Sequence, residues 1–134
     1  MAEDLGVRLL RIYVADDDRD SRCRILVDRL WPRGVSKADA DLHEWLKDVA
    51  PSSDLRKWYG HDVGRFDEFA RRYRGELQAG PASAGLQHLV ALARTTPVTL
   101  VTATRDVEHS GARVLCDTLM DLLSTGRARV VPPR

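Results

Sequence analysis

Val98-Thr99-Leu100-Val101-Thr102-Ala103 is an unbroken β-rich run. The polar turn Thr104-Arg105-Asp106 follows it, and then the cleanest helical stripe in the chain: Ala112, Leu115, Cys116, Leu119, Leu122 and Leu123. A short strand that is apolar throughout is one buried on both faces, as in the middle of a parallel sheet. Apolar residues spaced three and four apart form one buried face of a helix. Together they make a β-turn-α unit over 98–124. They predict an α/β fold: a single compact domain over 1–134 with a small, mostly parallel sheet flanked by helices in Rossmann-like layers.

Working outward, Leu10, Ile12 and Val14 alternate with Arg11 and Tyr13, which predicts a first strand over 8–14. Ile25-Leu26-Val27 predicts a second, over 23–28. Between them, Asp16-Asp17-Asp18 resembles the start of a calcium loop, but Ser21 and Val27 stand where such a loop needs glycine and glutamate. Ser36 to Asp39 fits a capping box, and Leu42, Trp45, Leu46 and Val49 give the stripe of a helix that Pro51 ends. Ser52 or Ser53 caps a short helix carrying Leu55 and Trp58 and stopping near Gly60. Asp62 caps the next, with Phe66, Phe69, Tyr73 and Leu77 inward, closed by Gly80-Pro81. Trp45 and Trp58 fit these stripes and are expected in the core. Ser83 opens a further helix with Leu86, Leu89, Val90 and Ala93 inward. Gly126 is expected to end the last helix, before a short strand over 128–131.

At 134 residues, 43% apolar and 31% charged, the chain is built for a packed core and not for disorder. It has no apolar run near the ~20 residues of a membrane helix. Its acidic start, Met1-Ala2-Glu3-Asp4, is unlike a signal peptide. Cys23 and Cys116 stand far apart with no CxxC pattern, so both are expected reduced, in the cytoplasm, with Cys116 in the core. Lys+Arg is 21 against 20 Asp+Glu, which argues against a dedicated DNA binder. Eighteen of the 21 cations are arginine. Codon bias is the simpler cause, so only individual arginines count as anion ligands.

Ligands of open α/β sheets sit beyond the carboxyl ends of the strands. Two polar segments leave strands there: Asp28-Arg29-Leu30-Trp31-Pro32-Arg33-Gly34 with Lys37, and Arg105-Asp106-Val107-Glu108-His109. Arg29, Arg33, Lys37, Arg56 and Arg105 are candidate anion-binding residues, and Trp31, in a loop between arginines, is the candidate stacking surface. Asp28, His61, Asp106 and His109 are candidate proton-transfer groups, with His109 expected in the first turn of the last helix. Each has a plainer reading: an Asp28–arginine ion pair, Asp106 as a helix cap, His61 as a polar residue between helices and His109 at the core's edge. No HxxxH or HxH spacing supports a metal. GxGxxG, Walker A, GxSxG and HExxH are all missing.

These residues carry a resemblance. Asp28-Arg29-Leu30-Trp31-Pro32-Arg33-Gly34, Lys37, Trp45, Ala50-Pro51-Ser52, Leu55-Arg56, Trp58 and His61-Asp62 are similar to the DUF488 family of YeaO-like proteins. The match continues through Phe69, Tyr73, Glu76-Leu77, Val98-Thr99-Leu100-Val101, Arg105-Asp106 and His109. The resemblance implies a small bacterial cytosolic α/β protein and no known activity. The chain departs from the family pattern at Arg105, where lysine is usual, at Ser110, where asparagine is usual, and at Asp20-Ser21, where an Asp-Gly turn is common.

Three readings follow. The first is an enzyme acting on a small anionic substrate such as a nucleotide or sugar phosphate. The second is a non-catalytic module binding nucleic acid or a protein, to which Arg71, Arg72 and Arg74 would add a basic stretch unless Asp67, Glu68 and Glu76 pair with them. In the third, the Arg/Asp/Trp network is structural. The sequence leaves cofactor and oligomeric state open.

Overall fold

The structure, a computed structural model, describes residues 6–17 and 19–130, with Asp20 and 125–130 described by backbone alone. Its strands are β1 (Val7–Arg11), β2 (Cys23–Leu26), β3 (Glu44–Trp45) and β4 (Val98–Thr102). They form one parallel sheet in the order β1-β4-β2-β3. The strand predicted to be central is central: every residue of β4 is buried, and it bonds to β1 on one side and β2 on the other. Successive residues of a strand face opposite ways. Accordingly Ile25, Val98 and Leu100 enter a large core, while Leu26 and Val101 enter a small one on the other face.

The large core is filled by α2 (Ser53–Tyr59), α3 (Phe66–Glu76), α4 (Gly80–Ala93) and α5 (Gly111–Val130). Their inward residues include Leu55, Phe69, Tyr73, Leu77, Leu86, Leu89, Leu115, Cys116 and Leu119. The small core, Ile12, Leu26, Ala40 and Val101, is covered by Trp31, Val35 and Leu42. The layering is therefore lopsided, with four helices on one face and chiefly a loop on the other.

Four local expectations are corrected. The helix expected to run from Ser36 to Val49 is only α1 (Lys37–Ala40). Ser36 caps it as read, but Asp41 turns left-handed (φ 49°) and the chain becomes β3, then a 3-10 turn over Lys47–Val49. Strand bonding wins there: the His43 and Leu46 amides donate to the Arg24 and Leu26 carbonyls of β2. Trp45 is consequently 37% exposed instead of in the core. Next, α4 begins at Gly80, not Ser83, because Pro81 is tolerated in a first turn that lacks amide partners anyway. A 3-10 turn over Val107–His109 precedes α5, so His109 lies ahead of that helix and not in its first turn. Finally, α5 runs past Gly126 to Val130, so residues 128–130 form no strand, and Val131 lies outside the described residues. One helical glycine costs only about 1 kcal/mol, and the arginines and alanine after it favour helix.

The sequence gives no hint of the buried arginine that ties β2 to the loop after β1 and to the end of α1. Arg24 is 2% exposed. Its Nη1 donates to Asp16 Oδ2 at 2.6 Å, and Nη2 and Nε donate to the Ala40 and Asp41 carbonyls at 3.1 Å. Arg8 also donates to Asp16, at 3.0 Å. The tri-aspartate segment thus contributes a buried structural anion. Arg24→Ala removes the buried partner of Asp16 Oδ2 and leaves the Ala40 and Asp41 carbonyls without their donor, and should lower unfolding stability by about 3 kcal/mol. Urea denaturation checks this, and a loss under 1 kcal/mol would show that the pair is dispensable.

Candidate functional site

At the carboxyl end of the sheet one carboxylate ties two strands together. Asp28 lies two residues past the end of β2. Its Oδ1 accepts from the Thr102 hydroxyl at 2.7 Å, and its Oδ2 accepts from the Ala103 amide at 2.8 Å, both at the end of β4. Its carbonyl accepts from Trp45 Nε1 at 2.8 Å. The expected ion pair between Asp28 and an arginine is therefore not formed; β4 takes that place. Burial pushes the Asp28 carboxyl above its usual range, and the Ala103 and Thr102 hydrogen bonds pull it partly back. The clasp makes the loops after β2 and β4 leave the sheet side by side.

Between those loops and α2 lies a cavity of about 730 Å³. Nine of the candidate residues line it: Asp28, Arg29, Trp31, Arg33, Arg56, His61, Arg105, Asp106 and His109. Lys37 does not; it stands on α1, outside the cavity. The buried part of the lining is mainly apolar, with Val27, Pro32, Ala50, Tyr59, Phe69 and Ala112. The exposed part carries Arg33, Arg56, Arg105, Asp106 and His61, beside Tyr13 and Leu30.

The arginines divide by what their donors hold. Arg29 donates to the Ala50 carbonyl at 3.2 Å and the Pro51 carbonyl at 3.3 Å, and so braces the cavity wall. The side chains of Arg33, Arg56 and Arg105 make no hydrogen bond or ion pair among the described residues. The Arg33 loop is pinned through its backbone, where the Tyr13 hydroxyl donates to the Arg33 carbonyl at 2.8 Å. Trp31 is fixed as well: Nε1 donates to the Val35 carbonyl at 2.7 Å, and its ring meets Trp45 edge-on at 5.3 Å.

His109 is oriented from three sides. Its Nδ1 donates to Asp106 Oδ2 at 2.9 Å, Tyr59 donates to its carbonyl at 2.6 Å, and the Phe66 ring meets it edge-on at 5.3 Å. The plain reading of Asp106 as a helix cap is corrected. It opens the 3-10 turn, but its carboxylate caps no amide and holds His109 instead. Burial and the nearby Asp106 and Asp62 charges push the Tyr59 hydroxyl's pKa up. His61 sits at φ 58°, directly after Gly60 at φ 54°. Histidine visits this left-handed region more readily than most residues, though at some cost, and such positions cluster at functional sites.

Sequence reasoning missed Tyr13, Pro51, Tyr59, Phe69 and Gly111 as lining residues. Tyr59 had a signal, four residues after Leu55 on one face of α2. Gly111 had none: a Cβ there would come within 2.9 Å of Pro51 Cγ, a contact visible only in the fold. Trp58, expected in the core, is half-buried between the Arg65 and Arg72 guanidiniums, 5.2 and 4.3 Å from its ring. Arg71 and Arg72 share Glu68, and Arg74 faces Asp121, so most of that basic stretch is neutralised. Asp62 accepts from the Gly64 amide and faces Arg65. Among the described residues no three His, Cys, Asp or Glu converge as metal ligands. Neither cysteine lines the cavity, and burial raises both thiols.

Comparison with known proteins gives relatives along almost the whole chain. A family model described as "Inactive DUF488-N3 subclade" matches residues 6–132. The uncharacterized protein Rv3073c of Mycobacterium tuberculosis is 48% identical over 119 residues, which is 89% of this chain and 98% of that one. The uncharacterized protein YeaO of Escherichia coli is 35% identical over 118 residues, 88% of this chain and all of that one. No solved structure matches.

The clasp has a pH signature. A carboxyl raised on folding binds its proton more tightly in the native state, so native stability falls as pH rises from its unfolded value, about 3.9, through its folded value. Asp28→Asn lacks this titration. Relative to the variant, the wild type should be most stable near pH 4 and lose ground toward pH 7, as urea midpoints across that range will show. Parallel curves would mean that burial does not perturb Asp28.

Proposed function

The chain belongs to the DUF488 family, and from that premise we propose that its cavity binds a small anion-bearing molecule. The observation that carries this is the set of three arginines, Arg33, Arg56 and Arg105, that line one cavity from three separate segments without an anionic partner. Arginine presents a planar fork of donors suited to phosphate or carboxylate, and such a fork is normally filled where a protein uses it structurally. Arg24 and Arg29 show that filled state in the same molecule. The volume of about 730 Å³ lies inside the range of roughly 300–1,000 Å³ of small-molecule sites.

Binding without covalent chemistry fits the inventory. The Tyr59 and Ser110 hydroxyls donate to the His109 and Val107 carbonyls, and the Thr102 hydroxyl donates to Asp28. The word "inactive" in the description of the matching family model points the same way. One observation favours a second reading, an enzyme working by proton transfer. His109 lines the cavity with Nδ1 fixed by Asp106 and Nε2 unbonded, the arrangement of a general base.

Calorimetric titration with inorganic phosphate, pyrophosphate and AMP tests the proposal. At least one should bind, and Arg56→Ala and Arg105→Ala should each weaken it tenfold or more, since a hydrogen bond to a charged group is worth about 1.5–3 kcal/mol. Arg71→Ala, on the exposed face of α3, should leave affinity unchanged. Binding that depends on Arg71 as much as on Arg105, or no binding at all, would sink the reading. Hydrolysis of a bound phosphate ester that His109→Gln abolishes would favour the enzyme.

A further inference from the structure

The distribution of charge within the cavity says which way round a ligand enters. Polar groups in its inner wall are already engaged: Asp28 by Thr102 and Ala103, and Tyr59 by the His109 carbonyl. The hydroxyl of Ser110, also buried in the wall, is engaged by the Val107 carbonyl, and Val27, Phe69 and Ala112 beside it are apolar. An anion placed there would exchange water for hydrocarbon and satisfied dipoles, at a high desolvation cost. The free guanidiniums belong instead to exposed residues of three different segments: the loop after β2 (Arg33), α2 (Arg56) and the loop after β4 (Arg105). Asp106 is the carboxylate among them, and His109 holds it.

We infer that the cavity takes its ligand ring-first, with a planar aromatic body inside and at least two linked anionic groups at the arginine-bearing mouth, the chemistry of a nucleoside diphosphate. The inference rests on the anion-binding reading above and deepens it. Three unfilled forks lining one cavity from separate segments exceed what one monoanion needs, whereas a diphosphate offers enough oxygens to engage all three. Tyr59 and Phe69, stacked at 4.2 Å, give the interior an aromatic wall against which a base can pack.

The test is a ladder of ligands on the wild-type protein: a nucleoside, its monophosphate and its diphosphate, for each of the four common bases, with pyrophosphate and a single-stranded octanucleotide alongside. For the preferred base, affinity should rise at least tenfold from nucleoside to diphosphate, and the diphosphate should exceed pyrophosphate at least tenfold. Arg33→Ala, Arg56→Ala and Arg105→Ala should each weaken diphosphate binding by tenfold or more. Ala112→Leu, which fills the interior, should weaken the nucleotide but not pyrophosphate; the wild-type ladder decides even where that variant folds poorly. Pyrophosphate binding as tightly as every diphosphate would overturn the ring-first inference while the anion-binding reading stands. An octanucleotide tenfold tighter than any diphosphate would overturn it in favour of a nucleic-acid strand. If no anion binds, both readings fall together.

Discussion

The site depends on one carboxylate clasp. Asp28 accepts from Thr102 and Ala103, and its carbonyl accepts from Trp45, so one residue joins β2 to β4 and to β3 at the carboxyl end of the sheet. Parallel strands lose their mutual hydrogen bonds where the ladder stops, and loops leaving neighbouring strands are free to diverge there. The clasp extends the pairing beyond the last ladder bond, from the Val27 amide to the Val101 carbonyl, and brings the Arg29–Arg33 and Arg105–His109 segments to one cavity. Burial opposes the charge, since it raises the Asp28 carboxyl, but two short hydrogen bonds keep the group anchored.

How much of this was legible follows from the range of the interaction concerned. The central strand, the parallel sheet and helices α2, α3 and α5 were readable because periodicity and capping are local signals. The Ser36–Val49 segment was misread because its apolar spacing suits a helix, while the partners of its backbone lie twelve or more residues back, on Arg24 and Leu26. The Arg24–Asp16 pair was hidden although its partners are close in sequence: nothing in a run of aspartates says which of them will be 1% exposed against an arginine. Of the candidate site residues, those directly following β2 and β4 line the cavity because strand ends are where open sheets gather their ligands. Lys37 was grouped with them by sequence proximity alone, and α1 carries it away. The aromatic wall, Tyr59 on Phe69, needed the packing of α2 on α3, which no sequence spacing encodes.

The arginine-rich composition takes on a sharper meaning once each side chain's donors are followed. Arg22 donates to the Gly6 and Val98 carbonyls and to the Thr99 hydroxyl, Arg24 to two carbonyls and Asp16, and Arg29 to two carbonyls. These act as cross-links between segments, and their charge is neutralised or dispersed over backbone dipoles. Arg33, Arg56 and Arg105 have the same chemistry without the partners. A net charge of +1 hides this division, because it counts both kinds alike. For an anion, the number of arginines matters less than whether their donor forks are unfilled and their backbone is fixed. In this fold that condition arises where the Asp28 clasp, the Arg29 brace and the Tyr13 latch on the Arg33 carbonyl fix the backbone beneath the free side chains. On the anion-binding reading proposed above, the anchored members of the Asp-Arg-Leu-Trp-Pro-Arg-Gly run would serve Arg33: they set where its side chain begins, so that a ligand would need to order only that side chain and not the loop.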